Sequence, residues 1–320
     1  MISTNLLNKL SLATVGIVFS SLALIDKVQA ATMSPAFANS YSLTDLGTVE
    51  ELPVAYGGMT FKKDDPSTLL IGGSADLPDA GIYSVKVTRD SKNQITGFGS
   101  ASLFAKSPGI DGGGIDAGLT YDPSGKVLFY TTYPDNSIGQ IKPGSTSPDK
   151  QIDLTALGIG ASTGALGFVP EGFAGAGRLK ITSYSTNIFY DTTITPDGVG
   201  TYDLAAPTTS VSLTGGLDAF MYVKGGSTGF AKDSLLMTEY DTNEVSAYEI
   251  DDNGNPIADT RQTFITGLGF HSPTALIGVM SSTVDPITGN FLFTTFFEGE
   301  PSLSKIFQAI GKSPSDSCSF

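Results

Sequence analysis

Leu119-Thr-Tyr-Asp-Pro-Ser-Gly-Lys-Val-Leu-Phe-Tyr-Thr-Thr132 and Val279-Met-Ser-Ser-Thr-Val-Asp-Pro-Ile-Thr-Gly-Asn-Phe-Leu-Phe-Thr-Thr295 are two copies of one pattern. Each is an apolar strand, an Asp-Pro step, a glycine turn, and a second strand carrying an aromatic and paired threonines. Three looser copies share the plan: Met59 to Gly73, Leu166 to Ser183, and Phe220 to Glu239. The copies begin at 59, 119, 166, 220 and 279, which are 60, 47, 54 and 59 residues apart. A period of that order matches the four-strand blade of a β-propeller, about 40 to 50 residues plus loops.

The segments after each hairpin supply the rest of a blade. Ile82 to Val87, Ile138 to Ile141, Ile188 to Tyr190, Val245 to Ile250 and Lys305 to Gln308 read as third strands. Gln94 to Phe104, Lys150 to Leu154 and Arg261 to Ile265 read as outer fourth strands. The last unit lacks a fourth strand. Tyr41 to Glu50 is otherwise unattached, and joining it there closes the ring and hides a long sheet edge. No stretch holds a helical apolar period beyond about two turns. The 38 glycines and 17 prolines punctuate short β-branched and aromatic runs from end to end, with no composition shift that marks a linker. The chain therefore reads as all-β, a single-domain β-propeller of five or six four-stranded blades closed by N- and C-terminal strands. A sixth unit within Thr201 to Gly216 stays open.

The first residues carry Lys9, an apolar run from Leu10 to Ile25, and Val28-Gln29-Ala30-Ala31. This order of basic, apolar and small residues is that of a secretory signal peptide over residues 1–30. The run is shorter than the roughly 20 residues of a spanning helix. Residues 31–40 then read as an N-terminal linker, 41–310 as the propeller and 311–320 as a disordered tail. The expected location is periplasmic or extracellular, with no membrane span after cleavage. Without residues 1–30 the chain holds 16 basic and 31 acidic residues, a net charge of −15. Nucleic acid is excluded as a partner, because binding phosphates needs Lys and Arg. Cys318 is the lone cysteine, so no intrachain disulfide forms. Phe296 to Pro301 faintly resembles a Pro-Glu-Pro sorting signal, but the apolar helix and arginine cluster that follow such signals are missing.

The Gly-x-Asp-Ala strand start, the Asp-Pro-x-Gly turn and the aromatic second strand resemble the repeats of six-bladed, calcium-dependent propellers of the gluconolactonase and regucalcin kind, over most of residues 57 to 310. Two units begin alike, as Gly114-Ile115-Asp116-Ala117 and Gly216-Leu217-Asp218-Ala219, which places an aspartate just before an innermost strand, at the mouth of the axial channel. Asp111, Glu171 and Thr274 stand at comparable positions. Hard oxygen donors from several blades suit calcium. The resemblance implies one divalent metal at the axis with Asp116 and Asp218 among its ligands, and Glu171 is a further candidate. No asparagine matches the family's amide ligand. The alternative role of these aspartates is to cap turns by accepting backbone N–H bonds.

His271 is the sole histidine and lies before the last unit's innermost strand. Its solitude excludes lactonase chemistry that relies on a histidine pair. With Asp111 and Thr274 it makes up the expected ligand-binding set at the mouth. Gly225-Gly-Ser-Thr-Gly229 satisfies G-x-S-x-G, yet its glycines join two strands where the nucleophile elbow needs a strand-to-helix turn. Asp251-Asp-Asn-Gly-Asn-Pro256 imitates the start of an EF-hand loop, but Pro256 replaces the required glycine, so Asn253-Gly254 reads as a tight turn. Gly158 to Gly164 precedes no helix and is not a nucleotide loop. No catalytic set emerges. The expectation is an exported, monomeric, non-catalytic binding or scaffold propeller for a protein, glycan or small molecule. The alternative is a calcium-dependent lactonase or esterase.

Overall fold

A computed structural model describes residues 30–272, 275–297 and 303–312, without the side chains of 270–272 and 275–277. Five antiparallel four-stranded sheets follow one another along the chain. Blade I is Met59–Lys62, Asp65–Gly73 and Gly81–Arg89, with an outer strand in two pieces, Ile95–Phe98 and Ser102–Lys106. Blade II is Gly114–Tyr121, Leu128–Tyr133, Ser137–Ile141 and Lys150–Asp153. Blade III is Thr163–Phe168, Leu179–Ser183, Ile188–Thr192 and Thr209–Ser212. Blade IV is Leu217–Val223, Ser234–Glu239, Glu244–Glu249 and Gln262–Thr266, extended by Thr32–Met33. Blade V is Ala275–Val284, Phe291–Phe296 and Ile306–Gly311, completed by Tyr41–Gly47 from the other end of the chain.

The count is therefore five, one fewer than the resembled lactonase propellers have. Thr201 to Gly216 is not a sixth unit. Its Thr209–Ser212 strand is the outer strand of blade III, and Tyr202–Leu204 pairs with Ile194–Pro196 in a side hairpin. Ring closure follows the expected scheme, because Tyr41 to Gly47 pairs with Ile306 to Gly311. The stretch read as a linker carries Thr32–Met33 and a buried Phe37 packed at 5.0 Å on Phe264. The signal segment and the tail from 313 lie outside the described residues.

The second strands carry continuous apolar runs, Leu69-Leu70-Ile71, Leu128-Phe129-Tyr130, Leu235-Leu236-Met237 and Phe291-Leu292-Phe293, and successive residues point to opposite faces, so both faces of these strands are buried. Five interblade clusters result, such as Leu70, Ile82, Ile115 and Tyr130 between blades I and II. On the axis, Ala117, Ala165, Ala219 and Met280 form a small plug. Five inner strands approach so closely that little else fits. A Cβ on Gly118 would meet Leu166 N at 2.8 Å and Thr131 Oγ1 at 2.7 Å. Second-strand threonines lace these blades together. Thr131 Oγ1 donates to Gly164 O at 2.7 Å, Thr182 Oγ1 to Asp218 O at 2.8 Å, and Thr238 Oγ1 to Met280 O at 3.1 Å. Between blades V and I, Met59 N donates to Ser281 Oγ at 3.0 Å, and Gly58 N reaches Asp116 O on blade II at 2.7 Å.

The Asp-Pro steps act through their carboxylates. Asp122 accepts from Lys126 N at 2.7 Å and Val127 N at 2.6 Å, which folds the hairpin between the first two strands of blade II. Asp285 holds the blade V hairpin by accepting from Ile287 N at 3.1 Å and Thr288 Oγ1 at 2.6 Å, and it also takes a two-point contact from Arg89 of blade I, at 2.6 and 2.8 Å. The G-x-S-x-G stretch lies, as expected, in the loop between two strands of blade IV. Asp251 accepts from Asn253 N and Asn255 N at 2.8 Å each, confirming the turn there.

Candidate functional site at the channel mouth

The inner strands of blades II to V each break register near their starts, between Ile115 and Leu119, Thr163 and Leu166, Leu217 and Phe220, and Val279 and Ser282. A bulge re-aims the residues it contains. Asp116 and Asp218 sit inside two of them and both line one cavity of about 230 Å³ above the alanine plug. The Gly-x-Asp-Ala glycine has a physical reason in blade IV. Gly216 has φ +72°, and a Cβ there would press at 2.8 Å on both Tyr184 and Asp241.

The wall repeats blade by blade. In blades II to V the last residue of the second strand or the one just after it lines the cavity: Tyr133 on blade II, Tyr184 on III, Tyr240 on IV and Phe296 on V. Blade I departs from the pattern and contributes Asp76 from the loop after its second strand, where φ is +70°. Asp76 N donates to Ile115 O at 3.0 Å, which ties this loop to the inner strand of blade II. Ser162 and Met280 complete the described lining, and no lysine or arginine is among the described residues of it. Tyr184 and Tyr240 meet edge to face at 5.9 Å, and Tyr240 and Phe296 at 6.4 Å.

Among the described residues of the lining the ionisable side chains are carboxyls and phenols. Burial raises the Asp116 carboxyl well above the usual range, and the charges of Asp76 and Asp218 push it further, against a hydrogen bond from the Ala117 backbone. Asp218 rises in the same way through burial, then the charges of Asp76 and Asp241. Its carboxyl has no hydrogen bond or ion pair among the described residues, although the residue is only 4% exposed. Tyr184 Oη donates to Asp241 Oδ1 at 2.7 Å, and burial followed by that bond and charge raises the phenol. Isolated buried carboxylates are costly unless they stay protonated or meet a cation.

The expected site residues divide. Asp116 and Asp218 share the cavity. Asp111 lies exposed in the loop before the blade II inner strand, its N–H on Asp135 at 3.1 Å. Glu171 is exposed in the loop that follows the blade III inner strand, beyond the opposite end of that strand from Ser162, and does not line the cavity. His271 lies on the short strand Phe270–Ser272 paired to the blade V inner strand, and its side chain is outside the described set. Thr274 lies outside the described residues. The aromatic wall and Asp76 were not read from the sequence. The wall had a signal: Thr131-x-Tyr133, Thr182-x-Tyr184, Thr238-x-Tyr240 and Thr294-x-Phe296 recur at one place in four blades. Alternation along a strand puts the lacing threonine and the aromatic on the same side. Asp76 had none.

Calcium takes six to eight oxygens. Among the described residues no three acidic, histidine or cysteine side chains come together as a metal-binding group. Among the described residues no helix is long and apolar enough to cross a membrane.

No family model matches the sequence, and comparison with curated proteins finds no match either. Among solved structures the chain is similar to the PQQ-bound aldose sugar dehydrogenase of Streptomyces coelicolor, at 14% identity over 84% of each chain with a TM-score of 0.41. It is also similar to a glutaminyl cyclase of Myxococcus xanthus, at 11% identity over 85% of this chain and 97% of that one, TM-score 0.48. A third is an auxiliary nutrient binding protein of Bacteroides ovatus, at 12% identity over 86% and 77%, TM-score 0.44. The propeller assignment rests on the sheet order itself. The likeness to gluconolactonase repeats remains one of blade construction.

Proposed function

We propose that this chain is an exported, non-catalytic binding propeller whose ligand sits in the acidic, aromatic-walled cavity at the channel mouth. The observation that carries this reading is the pairing of Asp116 and Asp218, buried carboxyls from two blades that line one small cavity closed beneath by the alanine plug. Ligand sites are concave, mostly apolar and furnished with a few converging polar groups. The cavity lining has that composition. Among the described residues it holds no nucleophile with the oriented base that acyl transfer needs. Among the described residues Ser162 has only the hydroxyl of Ser185, at 3.4 Å, as a side-chain partner. The signal-type N-terminus supports export.

A second reading, a calcium-dependent lactonase, draws on the same two aspartates. It lacks a third described ligand. One experiment separates the two readings: a ligand panel of saccharides and small metabolites, scored by thermal shift, beside a lactone panel with and without calcium. Wild type should be stabilised by some panel member, with the shift lost in the Asp116→Asn, Asp218→Asn double variant, and should turn over no lactone. Calcium-dependent turnover abolished by both substitutions overturns the binding reading.

A further inference from the structure

We infer that the mouth is built for a small organic ammonium ion; the inference rests on the reading of the mouth as the ligand site. Three independent features carry it. The first is Asp218, nine-tenths buried, turned to the cavity, and without a hydrogen-bond or ion-pair partner among the described residues. A buried carboxylate is stabilised by a counter-ion, and among the described residues no lysine or arginine lines this cavity to provide one. Asp116 and Asp76 add negative field from two other blades. The cavity therefore selects positive charge.

The second feature is the wall. Tyr133, Tyr184, Tyr240 and Phe296 come from four consecutive blades and surround the carboxyls with aromatic surface. A ring face attracts a cation through its quadrupole and also buries hydrocarbon, the combination that recognises alkylammonium groups. A hydrated metal ion gains little from it. The third feature is spacing. The described carboxylates do not converge into a three-ligand metal group. They surround a volume of about 230 Å³, room for an organic group between them. A neutral polyol of the same size would fill the space and leave the carboxyls without a counter-charge.

The test is calorimetric titration of the mature chain with choline and with putrescine. The comparison set is dimethylbutanol, the neutral carbon isostere of choline, butanediol, and calcium chloride. The ammonium ions should bind at least about tenfold more tightly than their neutral isosteres. Asp218→Asn should weaken ammonium binding by a similar factor while far-ultraviolet circular dichroism stays unchanged. If that variant does not fold, Tyr184→Leu provides the second measurement and should weaken choline without creating affinity for dimethylbutanol. Neutral isosteres that bind equally well overturn the inference, as does calcium that binds at the mouth in preference to both amines. Failure of both ammonium probes to bind at millimolar concentration overturns it as well, and leaves the mouth reading to the saccharide panel. Ammonium binding indifferent to both substitutions places the site elsewhere and overturns both readings.

Discussion

Asp116 and Asp218 occupy the same bulge position on the inner strands of blades II and IV, separated by blade III, and both face one cavity with Asp76 as a third negative neighbour. Burial raises both carboxyls in the folded chain above the ordinary value of 3.8, with the charges of Asp76 and Asp218 adding to it at Asp116 and those of Asp76 and Asp241 at Asp218. For a carboxyl raised on folding, the stabilising contribution is complete below the unfolded value and disappears as pH rises through the folded one. These two groups therefore make the ligand-free protein less stable at mildly alkaline than at mildly acidic pH. The double variant Asp116→Asn, Asp218→Asn should flatten that slope and melt several degrees higher at the alkaline end, since about 1 kcal/mol moves the melting temperature by roughly 2–4 °C in a chain of this size. Melting curves across pH check it. Parallel curves for the two proteins would show that neither carboxyl is perturbed.

Replacing Thr182 by valine should loosen the junction of blades III and IV. Its hydroxyl accepts from Ala165 N at 2.6 Å and donates to Asp218 O at 2.8 Å, so one side chain joins two inner strands and holds the residue that faces the mouth. Valine keeps the shape and leaves a buried N–H and a buried carbonyl without that partner, at a cost of about 1–3 kcal/mol each when nothing replaces it. Serine should restore most of the loss. Denaturant unfolding of the three proteins measures the order. Equal midpoints for valine and wild type would refute the lacing role.

The lacing also shows which parts of this molecule can be read from its residues. Blade starts, second strands and the closing strand Tyr41–Gly47 were legible because turn chemistry and strand alternation repeat with the blade. Blade number was not: Thr209–Ser212 has the same alternation whether it ends blade III or begins another, and only its pairing with Ile188–Thr192 decides. Asp116 and Asp218 were visible through Gly-x-Asp-Ala. The tyrosines of the wall were hidden in plain view, since an aromatic at a strand end is usually core. Asp76 was invisible because its position follows from a loop in which Ser74 and Asp76 both take positive φ, at 51° and 70°, a conformation that belongs to no motif.

Arg89 and Asp285 form a two-point ion pair across the seam between blades I and V, with the carboxylate fully buried. Burial acts to raise Asp285, and hydrogen bonds from Arg89, Thr288 and Ile287 outweigh it, so its carboxyl is lowered on folding. Stability from this group is present above the unfolded value and lost as pH falls through the folded one. Asp285→Asn leaves the guanidinium buried and should cost about 3–5 kcal/mol near neutral pH. Replacing both partners by apolar residues should cost much less. Chemical denaturation of the single and double variants tests this ordering.

The closing strand supplies the last prediction. Phe37 packs on Phe230 at 5.3 Å, and Tyr41 packs on Phe264 at 5.2 Å and Phe291 at 5.6 Å while its hydroxyl donates to Thr228 O at 2.7 Å. This segment joins blade IV to blade V and then covers the edge strand Ile306–Gly311. A chain beginning at Ser40 loses Phe37 and the Thr32–Met33 strand but keeps the edge covered. It should remain folded and lose about 3–5 kcal/mol, the usual cost of deleting a buried phenylalanine. A chain beginning at Val49 loses the outer strand of blade V, exposing an unpaired edge beside Phe291 and Phe293. Unpaired edges recruit other chains, so this form should aggregate or show no cooperative melting. A synthetic peptide spanning 40–48, added during refolding, should restore solubility if strand pairing is what closes the ring. A soluble, cooperatively melting chain that starts at Val49 would show that the ring holds without that strand.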